Sequence, residues 1–399
     1  MSDSDMPVLR YLEVVSTIDP RAGGVIAGIN ALARERTRFG SHTTVVSLDS
    51  PDAFPSLEAP YTWVGLGSRG GVYRYTPDLV PWLRDHARDF DRVIVNGLWQ
   101  YHSFGAWRAL HALGIPYLVF PHGMLDPWFK RTYPLKHVKK MLYWWWADYR
   151  VLRDAAAVCF TCDEERLLAR RSFRRYRARE CVVGYGVDDP PPASPAQTAA
   201  FAQAVPQAPP GSRILLFLSR IQEKKGCDLL LRAFASELAS DPQWHLVMAG
   251  PDQEGWQATL AALARQLGIA DRISWPGMLT GDAKWGAFRA AEVFCLPSHQ
   301  ENFGVVVAEA LACGCPVLLS DQVNIWRETV DGGAGLVAPD TVAGTARLLK
   351  SWNASTARET MRSQSRPTFL RHFHIHAAAR RIAQAGVGLG SVDLATTPS

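Results

Sequence analysis

Apolar and polar positions along this chain come in blocks. The run 8–15 is largely apolar, 16–24 is polar and ends in Gly23-Gly24, and 25–39 carries apolar residues near helical spacing before 43–48 turns apolar again. Short apolar runs bounded by turn residues read as buried strands, and the spaced pattern reads as an amphipathic helix. The same succession continues with strand-like runs at 92–96, 116–120 and 156–161 and a helix at about 103–113. Such alternation predicts a parallel sheet covered by helices.

Between 188 and 211 the texture changes: Pro190, Pro191, Pro192, Pro195, Pro206, Pro209 and Pro210 sit among Ala and Gln, with few large apolar residues. This composition predicts a linker over 190–211. A second set of apolar runs follows at 214–218, 245–249, 272–275, 293–296 and 316–319. The expected architecture is α/β: two Rossmann-like parallel-sheet domains, 1–189 and 212–374, facing a central cleft. Ligands of open parallel sheets bind beyond the carboxyl ends of strands, which directs attention to the loops there.

Length and composition agree with this division. A chain of 399 residues exceeds one ordinary core, and 47% hydrophobic with 20% charged residues describes a folded globular protein. The net charge of +5 is mild and its cations are dispersed, which argues against nucleic acid as a partner. The start, Met1-Ser2-Asp3-Ser4-Asp5, has no basic region leading into an apolar one, and no run reaches 18 apolar residues; a cytoplasmic location without a membrane span is expected. The seven cysteines are expected as reduced thiols. Cys159-Phe160-Thr161-Cys162 lacks the second pair that a zinc site needs, and Cys313-Gly314-Cys315 reads as a helix end packed before a strand. Gly65-Leu66-Gly67-Ser68-Arg69-Gly70 has GxGxxG spacing but leads into Tyr73, Tyr75 and Pro77 rather than opening a helix, GxxxxGK[ST] is absent, and Asp-x-Asp occurs at Asp3-Ser4-Asp5 and at Asp89-Phe90-Asp91, ahead of a strand-like run. No nicotinamide, P-loop or divalent-metal site is supported, and neither cofactor nor metal is expected.

The stretch richest in chemistry is Pro297-Ser298-His299-Gln300-Glu301-Asn302-Phe303-Gly304, running into Val305-Val306-Val307-Ala308-Glu309. A strand ends and a helix begins there, so Glu301, eight positions before Glu309, lies about two helical turns from it. Gly304 admits close approach to the backbone, and the first amides of a helix lack intrahelical acceptors. The junction suits anions and hydroxyls, and two separated carboxylates suit a long polar ligand with the shape of a sugar nucleotide. Ser219-Arg220-Ile221-Gln222-Glu223-Lys224-Lys225-Gly226 follows the first strand of the second half. Arg220 and Lys225 could converge on a diphosphate there or stand as solvated cations. Gly23 and Gly24 could offer amides to a phosphate. His122, in Pro121-His122-Gly123, follows a strand and is placed to hydrogen-bond a reacting sugar or simply to pack its loop. His372, His374 and His376 fan around a helix and are read as solvated or packing residues. Lys136-His137-Val138-Lys139-Lys140-Met141-Leu142-Tyr143-Trp144-Trp145-Trp146 combines cations and aromatics in an amphipathic helix, for which contact with an anionic membrane and core packing of some of the tryptophans are equal alternatives.

With these residues in place, the chain resembles the retaining nucleotide-sugar glycosyltransferases of family 4, which have the two-domain GT-B fold. The likeness covers almost the whole chain, most strongly 214–339, and rests on Glu-x7-Glu at Glu301 and Glu309, Ser219-Arg220 with Lys225, Pro121-His122-Gly123 and Gly23-Gly24. The resemblance implies a nucleotide-diphosphate sugar as donor. Glu301 and the amides of Asn302, Phe303 and Gly304 would hold sugar hydroxyls, Glu309 the ribose, and Arg220 with Lys225 the diphosphate. His122 would meet the transferring sugar, and backbone at Gly277 and Met278 the nucleobase. It also implies independence of metal and a final helix, 375–390, returning to the first domain. The chain departs from the family in having Gly184-Tyr185-Gly186-Val187-Asp188 where Pro-Asn-Gly-Val-Asp is common.

The function so implied is transfer of a sugar to a glycan or lipid-linked acceptor in exopolysaccharide or lipopolysaccharide assembly, at the inner face of the cell membrane. A sugar-nucleotide epimerase of the same fold and a non-catalytic binding subunit remain as alternatives.

Overall fold

The structure is a computed structural model that describes residues 7–19, 24–54, 58–128, 130 and 134–385. The chain divides into two units, Met1–Gly186 with Ile375–Ser399, and Val187–His374.

The first unit begins with β1 (Arg10–Val14), α1 (Gly24–Arg38), β2 (His42–Ser47), β3 (Thr62–Gly65), α2 (Leu79–His86) and β4 (Arg92–Asn96). It continues with α3 (Tyr101–Leu113), β5 (Tyr117–Phe120), α4 (Pro134–Trp146), α5 (Asp148–Asp154), β6 (Ala157–Phe160), α6 (Asp163–Ala169) and β7 (Glu180–Val182). Its strands form a sheet in the order β3-β2-β1-β4-β5-β6-β7, with every pairing parallel. The apolar runs are continuous because both faces of a parallel sheet are covered; in β4, Val93, Ile94 and Val95 are all buried. Strand order reverses between β1 and β4, where Leu12 lies beside Val93 and Glu13 beside Ile94. Open sheets place ligands beyond the strand ends at such a switch point.

The second unit contains α7 (Pro195–Ala204), β8 (Arg213–Leu218), α8 (Cys227–Glu237), β9 (Trp244–Ala249), α9 (Trp256–Gln266), β10 (Ile273–Gly277) and α10 (Gly281–Ala290). After these come β11 (Ala291–Leu296), α11 (Val305–Ala312), β12 (Val317–Ser320), α12 (Trp326–Asp331), β13 (Gly335–Ala338), α13 (Val342–Ala354) and α14 (Arg358–His372). The sheet runs β10-β9-β8-β11-β12-β13, again parallel, with its switch point between β8 and β11. The chain enters and leaves this unit side by side, the amide of Val187 donating to the Phe373 carbonyl at 2.8 Å.

The linker expected over 190–211 is corrected. Within it α7 forms, its first turn capped by the Ser194 side chain accepting from the Gln197 amide, with proline at the start. Proline is well suited to a first helical turn, where its missing N–H has no partner to lose. Phe201 is buried, and the approach to α10 is so close that a Cβ at Gly286 would stand 2.0 Å from the Gln197 carbonyl oxygen. The segment belongs to the second unit.

The chain then returns to the first unit as α15 (Ile375–Gln384), whose Ile375, Ala379 and Ile382 are buried in one cluster with Tyr11, Ile94, Leu118 and Cys159 of the sheet. His376 Nδ1 lies 2.9 Å from Glu35 Oε1, and His374, in the second unit, lies 3.3 Å from Asp189 Oδ2. These two histidines pair with separate carboxylates.

Candidate functional site

At the switch point of the second unit, the loops after β8 and β11 meet. Gly226, at φ 66°, lies against Pro297 so closely that a Cβ would stand 2.2 Å from its carbonyl oxygen. Only glycine permits both this backbone angle and this approach. The contact brings Lys225, 4% exposed, into an ion pair with Glu301. Backbone clamps hold the loop: the Glu301 amide donates to the Gln322 carbonyl at 3.0 Å, and the Asn324 amide donates to the Glu301 carbonyl at 3.0 Å. Asn324 Nδ2 further donates to Asn302 Oδ1 at 3.4 Å. Phe303 is buried, its ring 5.8 Å from that of Phe373, and Gly304 caps α11 at φ 70°.

Glu309 lies on the buried side of α11, 8% exposed. Its Oε1 accepts from Lys284 of α10 at 2.6 Å, whereas its Oε2 has no hydrogen-bond partner among the described residues. Burial raises the carboxyl pKa and Lys284 pulls it back in part. A carboxylate satisfied on one oxygen has an acceptor left for a ligand hydroxyl. Arg220 stands exposed on the loop after β8, while the nearby Lys225 is turned to Glu301. Gly277 ends β10 at φ 71°, its carbonyl accepting from the Gly250 amide at 2.8 Å, and Met278 beside it is exposed.

His122 lies in the first unit, just beyond β5, in the left-handed region at φ 50°. It is half-buried, its ring 5.5 Å from Phe120 and edge-on to Tyr185. Nε2 lies 2.8 Å from Asn96 Oδ1, and Asn96 Nδ2 donates to Glu13 Oε2 at 2.6 Å. Glu13 Oε1 accepts from Arg36 of α1 at 2.7 Å. The ends of β1, β4 and β5 thus join in one polar chain at this unit's switch point. Burial lowers the pKa of His122 to about 4, so the imidazole is neutral at neutral pH.

Tyr185 fills the place of the family's asparagine. Its hydroxyl donates to the Gly24 carbonyl, and its ring lies where a Cβ on Gly28 would come within 2.1 Å of it. Gly28 makes room for this aromatic turn. Gly24 begins α1, and Gly23 lies outside the described residues.

On α4 the tryptophans divide. Trp144 is buried and stacks on Phe173 at 4.6 Å, whereas Trp145 and Trp146 are exposed together with Leu135, Val138, Met141 and Leu142. Leu135, Val138, Leu142 and Trp145 follow helical spacing along one face. Core packing, expected of some of these tryptophans, holds for Trp144. Among the described residues no helix is long and apolar enough to cross a membrane.

Two family models match the chain: residues 23–186 fit the Glycosyl transferase 4-like domain, and residues 200–366 fit Glycosyl transferases group 1. The chain belongs to the group 1 glycosyltransferases. Among curated relatives it is 39% identical to the D-inositol 3-phosphate glycosyltransferase of Kribbella flavida over 135 residues, 32% of this chain and 31% of the relative. It is 32% identical to the protein of the same name from Kineococcus radiotolerans over 256 residues, 58% of this chain and 56% of the relative. These matches span about a third to somewhat over half of the relatives' lengths. Among solved structures, Anabaena HepE in complex with UDP and glucose superposes with a TM-score of 0.72 at 18% identity, covering 94% of this chain and 98% of that one. This likeness concerns the fold, GT-B with two Rossmann-like units.

The constellation of Lys225, Glu301 and Glu309 that the sequence singles out is brought to one switch point. Sequence reasoning missed Lys284, Glu13, Arg36 and Asn96. Two of them carry a signal in hindsight: Glu13 and Asn96 are polar residues inside otherwise apolar buried strands.

Proposed function

We propose that this protein transfers a sugar from a nucleotide-diphosphate sugar to a glycan or lipid-linked acceptor with retention of anomeric configuration. The observation that carries this reading is Glu309, buried and with one oxygen lacking a partner among the described residues, on the helix that follows the Lys225–Glu301 pair. A ribose hydroxyl completes that carboxylate. Glu301 and the backbone of Asn302, Phe303 and Gly304 receive the sugar hydroxyls, and backbone at Gly277 and Met278 meets the nucleobase. Arg220 and Lys225 take the diphosphate, and Gly23 and Gly24 serve a phosphate. His122 accepts a hydrogen bond from the sugar.

In the transfer, the bond from the anomeric carbon to the diphosphate breaks and a bond to the acceptor oxygen forms on the same face. The acceptor proton passes to the departing diphosphate oxygen. Charge grows on the diphosphate, so fixed cations there lower the barrier. The step calls for neither metal nor cofactor.

For the acceptor, the exposed apolar face of α4 with Lys139 and Lys140 favours an anionic membrane surface. A lipid-linked intermediate of exopolysaccharide or lipopolysaccharide assembly at the inner face of the cell membrane fits that surface. The use of UDP is supported by the UDP bound in HepE.

The test is a panel of UDP-, GDP- and ADP-sugars incubated with the protein without added metal, following nucleoside diphosphate with and without lipid extract. Release with one donor, enhanced by extract and lowered about 100- to 1,000-fold in Arg220→Ala and Lys225→Ala, is expected. Near-normal turnover in both variants refutes the diphosphate assignment. Donor isomerisation without release identifies an epimerase, and silence with every donor favours a binding subunit.

A further inference from the structure

The polar chain behind His122 dictates more than its position. Arg36 is always protonated, and its partner Glu13 is a carboxylate, which can only accept hydrogen bonds. Both side chains are 1% exposed, so water does not compete for them. The atom that Asn96 turns toward Glu13 at 2.6 Å must therefore be its amide nitrogen. The amide oxygen is left facing the other way, 2.8 Å from His122 Nε2. That oxygen can only accept, so Nε2 must carry a proton.

Burial holds His122 neutral at neutral pH, and a neutral imidazole has one N–H. The ring is held between Phe120 and Tyr185, with its backbone in the left-handed region. Asn96 is itself clamped at its backbone, where His102 Nε2 lies 2.7 Å from its carbonyl oxygen.

We propose that Glu13 and Asn96, backed by Arg36, are positioning residues that lock His122 in the Nε2–H tautomer and so present Nδ1 as a bare hydrogen-bond acceptor. A bare acceptor reads hydroxyl groups and disfavours a carboxylate or phosphate oxygen at the same place. The identity of that hydroxyl rests on the reading of His122 as a sugar contact, but the tautomer does not.

The experiment is a nitrogen–proton correlation spectrum of the ligand-free protein with labelled histidine at neutral pH, His122 being assigned by its loss in His122→Gln. The wild type is expected to show His122 as Nε2–H alone. Two variants release the lock: Asn96→Leu removes the acceptor, and Glu13→Gln with Arg36→Met removes both charges while leaving an amide that can either donate or accept. In each, a mixture with the Nδ1–H form is expected, while the His102 signal is unchanged because its partner is backbone. Charge removal in pairs is well tolerated by buried sites, so the double variant stands in if Asn96→Leu does not fold.

A wild-type His122 found as Nδ1–H, or a pure Nε2–H form persisting when the lock is removed, overturns the proposal. The spectrum needs no donor and no turnover. Failure of the transferase reading thus leaves the tautomer result standing, and a different tautomer leaves that reading standing.

Discussion

Replacing Arg36 by methionine should destabilise the first unit far more than replacing Arg36 and Glu13 together. The pair is 2.7 Å apart with both side chains 1% exposed. At an effective dielectric of about 20, unit charges at that distance attract by about 6 kcal/mol, against a desolvation cost of several kcal/mol for each ion. The two sides nearly cancel, so the intact pair contributes little net stability. Arg36 is also incompletely satisfied: among the described residues its Nε and Nη2 have no hydrogen-bond partner, although the guanidinium stacks 3.8 Å above the Tyr11 ring.

Arg36→Met strands Glu13 with only the Asn96 amide for company, and breaking a buried pair in this way costs about 3–5 kcal/mol. With an m-value of about 2–3 kcal/mol per molar urea, the midpoint of the first unit should fall by roughly 1–2 M. Glu13→Gln with Arg36→Met leaves no buried charge and should lie within about 1 kcal/mol of wild type or above it. Urea denaturation followed by hydrogen exchange at β1 and β4 isolates this unit from the other. A single variant as stable as wild type, or a double variant as damaged as the single, refutes the reasoning, because either result means the carboxylate is not isolated by burial.

Lys284→Met and Glu309→Ala should each weaken nucleotide-sugar binding about 10- to 100-fold, the range of a charge-assisted hydrogen bond, and calorimetry giving wild-type affinity for both counts against the ribose contact. His122 and His102 have pKa values lowered by burial to about 4, so between pH 6.5 and 4 the unfolded chain binds their protons first and stability falls on acidification. Asp148 acts oppositely: burial raises its pKa to about 7, and protonation as pH falls below that value favours the fold. His122→Gln should therefore be less acid-sensitive than wild type and Asp148→Asn more so; parallel urea-midpoint profiles in all three proteins refute this assignment. Leu142 and Trp145 are 69% and 46% exposed, and replacing both with serine should reduce retention on anionic vesicles at low salt by at least about tenfold, an unchanged retention excluding this face of α4 as the membrane contact.

What could be read in advance follows from how locally each feature is encoded. The central strands of both sheets, such as β4, β5, β8 and β11, are short apolar runs, a pattern that burial on two faces imposes on the strand itself, whereas the edge strands β3 (Thr62-Trp63-Val64-Gly65) and β7 (Glu180-Cys181-Val182) are only partly buried and carry no such signal. Glu301 and Glu309 lie on one loop and the helix that follows it, so their relation survives in a linear reading. The helix α7 is masked by the proline richness of the segment as a whole, whereas the position of Pro195 directly after the capping Ser194 decides the local structure. Lys284 was out of reach for another reason: it meets Glu309 only because α10 and α11 flank the same strand, and nothing near it in sequence marks that encounter.

The chain from Arg36 to His122 shows where a non-local site can still leave a local trace. Its members come from α1, β1, β4 and the loop after β5, and they meet through sheet register rather than sequence proximity, Asn96 lying beside Phe120 and Glu13 beside Ile94. A carboxylate inside a parallel strand is costly unless something pairs with it. Glu13 in Tyr11-Leu12-Glu13-Val14-Val15 therefore already demands a cation and a donor from neighbouring elements. The reversal of strand order between β1 and β4 puts that demand at the strand ends where open parallel sheets bind ligands. A buried charge near the carboxyl end of a switch-point strand thus calls for its partners before they are known, and here they end on an imidazole whose proton they assign.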